Sequence, residues 1–122
     1  MARDEADTLY EPPVVAVEQK GDAYVVKLAG ELDLYNSHLV REALFAAAAE
    51  GPERLVVDMA DVRFVDSTAL GVLIEARTKL ANRDAFLLAA CGMETKRALE
   101  ISGLDRHFKL HDSLDGALGA RV

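Results

Sequence analysis

Cysteine is nearly absent from this 122-residue sequence, which contains Cys91 alone. One thiol cannot form an internal disulfide, and it cannot supply the cluster of thiolates that structural zinc or an iron–sulfur centre needs. Long apolar runs are missing as well, because no stretch approaches the roughly 20 apolar residues that span a bilayer. Residues 1–8 are polar and charged rather than apolar. These absences predict a cytoplasmic protein that does not insert into a membrane.

Basic residues are also scarce. The chain has 14 Lys and Arg against 21 Asp and Glu, which gives a formal net charge of -7. Nucleic acids and anionic membranes are bound largely through clustered Lys and Arg. The charge balance therefore argues against a general affinity for either of them, and it favours a protein partner with a neutral or basic surface.

Apolar residues, in contrast, make up 51% of the chain, enough for one domain to build a core without disulfides or metal. Residues 1–13 are polar and close with Pro12-Pro13, which removes two backbone donors and favours extended backbone. We therefore predict a flexible tail over 1–13 and a single folded domain over 14–122.

The strand signals are short apolar segments bounded by turns. Two segments rich in β-branched residues, 14–19 and 23–29, flank Lys20-Gly21-Asp22 and predict an antiparallel hairpin. Unbroken apolar runs predict buried strands over 54–59 and 85–90, of the kind found in parallel sheets.

Two details of the first buried strand need an interpretation. Asp58 interrupts its apolar run, and we expect this carboxylate to lie at the exposed strand end or to pair locally, since an unsatisfied buried carboxylate is costly. Residues 60–63 are predicted to form a turn that brings Phe64 and Val65 back to the surface of the core.

Helical periodicity appears in the remaining segments. Apolar positions at i, i+3, i+4 and i+7 from Val40 predict a first helix that follows Asn36-Ser37 and stops at Gly51-Pro52. The same reasoning predicts helices over 67–81, 94–102 and 113–120, and a short strand over 108–111. The resulting fold class is α/β, with a mixed sheet of four to five strands, an antiparallel hairpin followed by parallel strands, and about four helices.

Ser67 lies where a buried strand is expected to turn into the second helix. By itself, a serine at this place is most simply an N-cap that accepts a hydrogen bond from a first-turn amide. Asp66 competes for the same role. If Asp66 caps the helix, Ser67 becomes the first helical residue and its hydroxyl faces solvent, where a kinase can reach it.

Catalytic and metal-binding interpretations have less support. A serine nucleophile needs a base and an orienting acid, and the flanks of Ser67 lack the G-x-S-x-G elbow. His38 is expected at the start of the first helix, and His107 and His111 near the carboxyl terminus, so none is obviously placed as that base. The two C-terminal histidines stand four apart on an extended segment, which is not a ligand spacing. We therefore expect neither an enzyme nor a metal or cofactor site.

Two motifs resemble those of STAS domains, and among these the bacterial anti-sigma factor antagonists. They are Gly30-Glu31-Leu32-Asp33 after the second strand and Phe64-Val65-Asp66-Ser67-Thr68-Ala69-Leu70-Gly71 before the second helix. Residues 99–104 also resemble the end of the family's third helix. Ala69 stands where many relatives have glycine, and a methyl group there is expected to stiffen the helix start and to alter how closely a partner approaches.

The resemblance implies a function and a set of residues. Members of this kind bind an anti-sigma factor, often a serine kinase, and thereby free a sigma factor; phosphorylation of the serine after the motif aspartate, Ser67 here, ends the complex. A phosphatase would then reverse the modification. An alternative is a scaffold or adaptor in a stress-signalling assembly or beside a lipid transporter, with Ser67 only a cap. The residues expected to bind the partner are Asp33, Asn36, Asp66, Ser67, Thr68, Leu70 and Gly71.

Overall fold

The computed structural model describes residues 12–122 and forms a five-stranded sheet in the order β1-β2-β3-β4-β5. The first pair is antiparallel, and the other three pairs are parallel. This mixed sheet confirms the predicted fold class. The strands are β1 (Val14–Lys20), β2 (Ala23–Leu32), β3 (Arg54–Val65), β4 (Phe86–Ala89) and β5 (Lys109–His111).

Four α-helices connect or follow the parallel strands within the described residues. They are α1 (Ser37–Ala49), α2 (Ser67–Thr78), α3 (Met93–Ser102) and α4 (Leu114–Leu118), with single turns of 3-10 helix at Arg83–Ala85 and Leu104–Arg106. The predicted helix boundaries agree within about one residue except in α2, which stops at Thr78 rather than at 81, and in α4, which is shorter than 113–120; β2 extends to Leu32 rather than to 29. Within residues 12–122, none of the helices has the length and apolar character needed to cross a bilayer.

Alternate strand residues point to opposite faces of the sheet, and the two faces are covered unequally. On one face, α1, α2 and α3 enclose the main core. On the other face, the short helix α4 covers a smaller cluster around Val56 and Leu87. Arg54 holds α4 in place, since its Nη1 donates to the carbonyl oxygens of Ala117 and Leu118 at 2.9 and 2.8 Å. These carbonyls lie at the end of α4, where helical partners run out.

The strand β3 is longer than predicted, and the expected turn over 60–63 is wrong. The last residue of β3 opposite β4 is Asp58, whereas its pairing with β2 continues to Val65 through two register shifts. Along this extension Val62 and Val65 are buried, while the residues between them are exposed. An irregular, half-buried strand in a two-stranded ribbon looks like a turn in sequence, because Asp61 and Arg63 interrupt its apolar residues.

Asp58 lies inside β3 rather than at an exposed strand end, so that expectation is wrong, whereas local pairing is confirmed. It is buried, its Oδ1 accepts a hydrogen bond from the Ala60 amide, and its Oδ2 lies 3.4 Å from Lys27 Nζ. Asp61 lies 3.2 Å from the same ammonium. Hydrogen bonding to Asp61, followed by the field of Asp58, raises the pKa of Lys27, although partial desolvation opposes this. The ammonium thus compensates the buried carboxylate.

The expected tail, 1–13, lies outside the described residues apart from Pro12 and Pro13. Pro13 is buried, and its carbonyl oxygen accepts a hydrogen bond from the Ala29 amide at 3.0 Å. The packed part of the chain therefore includes Pro13.

Candidate partner-binding site

The two sequence motifs meet at the carboxyl ends of β2 and β3, which are neighbours in the sheet. The Asp66 amide donates to the Leu32 carbonyl oxygen at 3.0 Å, which extends the strand pairing to the last residue before α2. Loops that leave adjacent parallel strands gather at the same edge. The 33–36 loop, which follows β2, and the start of α2 consequently lie side by side.

Asp66 connects these two segments through one carboxylate. Its Oδ1 accepts a hydrogen bond from the Ala69 amide at 2.9 Å and thereby caps α2. Its Oδ2 accepts a hydrogen bond from the Leu34 amide at 3.0 Å, 32 residues away in sequence. A single side chain therefore fixes the helix start and the neighbouring loop in one arrangement.

Ser67 is the first residue of α2 and is exposed. Its interpretation as the N-cap is wrong, because Asp66 has extended backbone angles and its carboxylate reaches the third amide of the helix. The Ser67 hydroxyl consequently stands at the positive end of the helix dipole. Thr68, next to it, is also exposed.

The 33–36 loop is ordered by its own side chains. Asp33 Oδ1 accepts hydrogen bonds from the amides of Tyr35 and Asn36 at 2.9 and 3.2 Å. In return, Asn36 Oδ1 accepts from the Asp33 amide at 2.9 Å, and Asn36 Nδ2 donates to the Glu31 carbonyl oxygen at 2.8 Å. This reciprocal pairing forms a compact turn in which polar side chains replace strand and helix hydrogen bonds.

The residues expected to contact a partner fall into two groups. Ser67 and Thr68 are exposed, and Asp33, Asp66 and Gly71 are half-buried, so all five can be reached from outside. Asn36 and Leu70 are 7% and 6% exposed, which leaves their side chains little surface for contact with a partner. The reason is that Asn36 turns its amide inward to hold the loop, and Leu70 belongs to the main core beneath α2.

Ala69 is almost completely buried, with 1% exposure, and it packs in the main core. The expectation that its methyl group alters a partner's approach is therefore corrected, because that methyl points away from the surface. A methyl that faces the core changes the packing and stiffness of the helix start instead.

Gly71 has no conformational requirement that the fold explains. It lies inside α2 with an ordinary negative φ, and a Cβ added there would meet nothing within 4 Å. A glycine inside a helix costs about 0.5–1 kcal/mol relative to alanine. The fold itself would therefore be more stable with alanine at this position.

Sequence reasoning did not single out the two apolar side chains at the tip of the 33–36 loop. Leu34 is 63% exposed and Tyr35 is 83% exposed, although the backbone amides of both residues are hydrogen-bonded. The available signal was a pair of large apolar residues between turn-forming residues, without helical or strand periodicity. Such residues have no core position to fill.

Of the remaining candidate groups, His38 lies next to the 33–36 loop, whereas His107 and His111 lie on other elements. His38 is exposed in the first turn of α1, whereas His107 and His111 lie at or beside the edge strand β5, separated from β3 by β4. Burial raises the pKa of the Cys91 thiol to about 11, against a smaller lowering by Lys96. Across residues 12–122, no three His, Cys, Asp or Glu side chains are grouped so that they could hold a metal ion.

Comparison with known proteins agrees with this geometry. A profile of the STAS domain family matches residues 14–117. The anti-sigma-F factor antagonist RsfB of Mycobacterium tuberculosis is 32% identical over 112 residues, which cover 88% of this chain and 92% of the relative. The anti-sigma F factor antagonist of Paenibacillus polymyxa is 31% identical over 107 residues, covering 85% and 91%.

Among solved structures, an anti-sigma factor antagonist from Mycobacterium paratuberculosis superposes with a TM-score of 0.81 and 32% identity, covering 89% of this chain and 94% of that one. SpoIIAA in its unphosphorylated form has the same fold, with a TM-score of 0.71 at 19% identity over 84% and 91% of the two chains. With a profile that matches residues 14–117 and a relative that is 32% identical over 92% of its length, the chain belongs to the STAS domain family.

Proposed function

We propose that this protein is an anti-sigma factor antagonist of the cytoplasm, which acts by binding rather than by catalysis. It binds an anti-sigma factor that is also a serine kinase, and phosphorylation of Ser67 ends the complex until a phosphatase removes the phosphate. The observation that carries the proposal is the exposed Ser67 hydroxyl at the start of α2, left free for modification because Asp66 caps the helix. Relatives named as anti-sigma factor antagonists support it.

The fold is expected to tolerate the phosphate. A phosphoserine adds about -1.5 to -2 charge. At a helix N-terminus the dipole and the free amides favour an anion by about 0.3–1 kcal/mol. Because Ser67 is exposed, the added group displaces no core side chain.

Binding is expected to fail because of the same charge. The phosphate would lie beside the Asp66 carboxylate and on the same sheet edge as Asp33, whose loop is hydrogen-bonded to Asp66. Like charges brought together in an interface cost several kcal/mol. A partner whose surface accommodates the carboxylates of Asp33 and Asp66 would then be repelled by the additional negative charge of the phosphate.

The test measures affinity for each anti-sigma factor encoded by the source organism, purified singly. Ser67→Asp should weaken the complex at least about tenfold, whereas Ser67→Ala should bind but take up no phosphate when kinase and ATP are added. Thr78→Asp is the matched control, because it adds the same charge at an exposed site on the opposite end of α2. Equal affinity of Ser67→Asp and wild type would exclude the charge mechanism.

The scaffold alternative is distinguished by intact-mass measurement of the protein taken from its native cells, with and without stress. A single phosphate whose level changes with stress, and which disappears in Ser67→Ala, supports the switch. Absence of that phosphate under every condition, together with an unchanged set of bound proteins, would favour a scaffold in which Ser67 only begins a helix.

A further inference from the structure

Leu34 and Tyr35 are the most exposed large apolar residues at the edge that carries Ser67, where Phe64 is 49% exposed. Their side chains are 63% and 83% exposed, and the tip that carries them is hydrogen-bonded to the residue before Ser67. Large apolar side chains exposed in a cluster commonly mark an interaction site, whereas single exposed ones are ordinary. Tyrosine is moreover one of the residues that most often dominate binding energy in protein interfaces.

The tip is held rigidly before any partner arrives. Each backbone amide from Asp33 to Ser37 donates to an acceptor: Asn36 Oδ1, Asp66 Oδ2, Asp33 Oδ1 twice and the Asp33 carbonyl oxygen. A loop that is already ordered loses little conformational entropy on binding. Rigid aromatic anchors gain affinity in this way.

The surroundings of the tip are acidic. Glu31 is exposed at the end of β2, and the half-buried carboxylates of Asp33 and Asp66 accept the hydrogen bonds that hold the tip. A surface whose exposed apolar side chains are flanked by carboxylates complements an apolar pocket with a basic rim.

We propose that Leu34 and Tyr35 insert into an apolar pocket of the anti-sigma factor, bordered by Lys or Arg, and that Asp66 holds them in the binding geometry. This inference rests on the proposed function and names the residues that supply the affinity for the anti-sigma factor. The anchors and the phosphorylated serine are then parts of one surface, joined by the Asp66 carboxylate.

The first test compares single truncations in affinity for the anti-sigma factors of the source organism, each purified. Tyr35→Ala should raise the dissociation constant at least about tenfold and Leu34→Ala by a smaller factor, because buried aromatic anchors dominate interfaces. Ile101→Ala is the matched control: Ile101 is 81% exposed but lies near the carboxyl end of α3, away from the motif edge. Its dissociation constant should stay within about twofold of wild type.

The outcomes separate the two proposals. If wild type binds none of these anti-sigma factors, the proposed function is overturned. If wild type binds and Tyr35→Ala binds equally well, only the anchor is overturned. Circular dichroism of each variant is expected to match wild type, since neither Leu34 nor Tyr35 fills a core position.

The second test addresses the rigid tip without any partner. In Asp66→Asn the remaining side-chain oxygen can still accept the hydrogen bond from the Ala69 amide and cap α2. The new side-chain NH2 group would face the Leu34 N–H, and because both groups are donors, that hydrogen bond is lost. Hydrogen exchange at the Leu34 amide should accelerate at least about tenfold, while exchange at the Ala69 amide changes less. A Leu34 amide that exchanges freely in wild type would contradict the ordered tip, and with it the role of Asp66.

Discussion

The helices α2 and α3 both begin at the carboxyl ends of parallel strands, and their first turns are built differently. At the start of α2, the Asp66 side chain caps the helix and also binds the Leu34 amide. At the start of α3, the N-cap is Gly92, without a side-chain hydrogen bond. Because α3 forms without a side-chain cap, the polar arrangement at α2 exceeds what helix formation requires. This surplus agrees with the binding role that we propose for the α2 start.

The largest expected effect concerns the reactivity of the Cys91 thiol. Cys91 immediately precedes Gly92 at the start of α3. Thiols near helix N-termini often have a lowered pKa and react readily. Here burial raises the pKa of Cys91 to about 11 from 9.0, so the thiolate fraction near pH 8 is expected to fall about a hundredfold. Alkylation by iodoacetamide, followed by mass spectrometry, should be slow in the native protein and fast in urea. Rapid native alkylation would show that the α3 start is also an activated site.

Asp66→Ala is expected to have the next largest effect. It removes the cap of α2 and the acceptor of the Leu34 amide, each worth about 1 kcal/mol. Urea denaturation should therefore show a loss of about 2 kcal/mol in unfolding free energy. Gly92→Ala at the corresponding α3 position is the comparison, and it should change stability by less than about 0.5 kcal/mol. Similar losses in both variants would remove the distinction between the two starts.

Gly71→Ala should separate stability from binding. The added methyl meets nothing within 4 Å, so the domain should become more stable by about 0.5–1 kcal/mol. If Gly71 is kept for the close approach of a partner, the same variant should bind the anti-sigma factor more weakly. Thermal denaturation and calorimetric titration on the same samples measure both quantities. Unchanged affinity would mean that Gly71 has no part in the interface.

The smallest effect is expected from Gly92→Ser, which gives α3 the capping side chain it lacks. Glycine is already a tolerable N-cap, so the gain should be only a few tenths of a kcal/mol. Urea denaturation in parallel with wild type measures it. A gain above about 1 kcal/mol would show that α3 begins under strain that its backbone angles do not reveal.

The sequence predicts those parts of this structure in which local pattern and tertiary environment agree. The hairpin turn at Lys20-Gly21-Asp22, the apolar run of β4 and the stripe of α1 each show one clear signal, and each element formed close to its expected bounds. The competition between Ser67 and Asp66 for the cap was also visible, but its outcome was not. It depends on backbone angles at residue 66 that both residue types can adopt.

The remaining features depend on partners distant in sequence. The extension of β3 to Val65 exists because β2 runs alongside it, and the turn-like residues 60–63 do not reveal that neighbour. The contact between Asp66 and Leu34 spans 32 residues and involves a backbone amide, which has no residue-type signal. The buried state of Asn36 likewise follows from a turn that only the folded loop defines.

The shared carboxylate of Asp66 also affects how genetic data on this protein should be read. A substitution at position 66 disturbs the helix start, the loop and the charge next to Ser67 at the same time. A mutational scan will consequently find this position intolerant even where no kinase is present, and that intolerance alone says nothing about phosphorylation. Substitutions at Tyr35 and Ser67, which touch only one of these elements each, are the informative alleles.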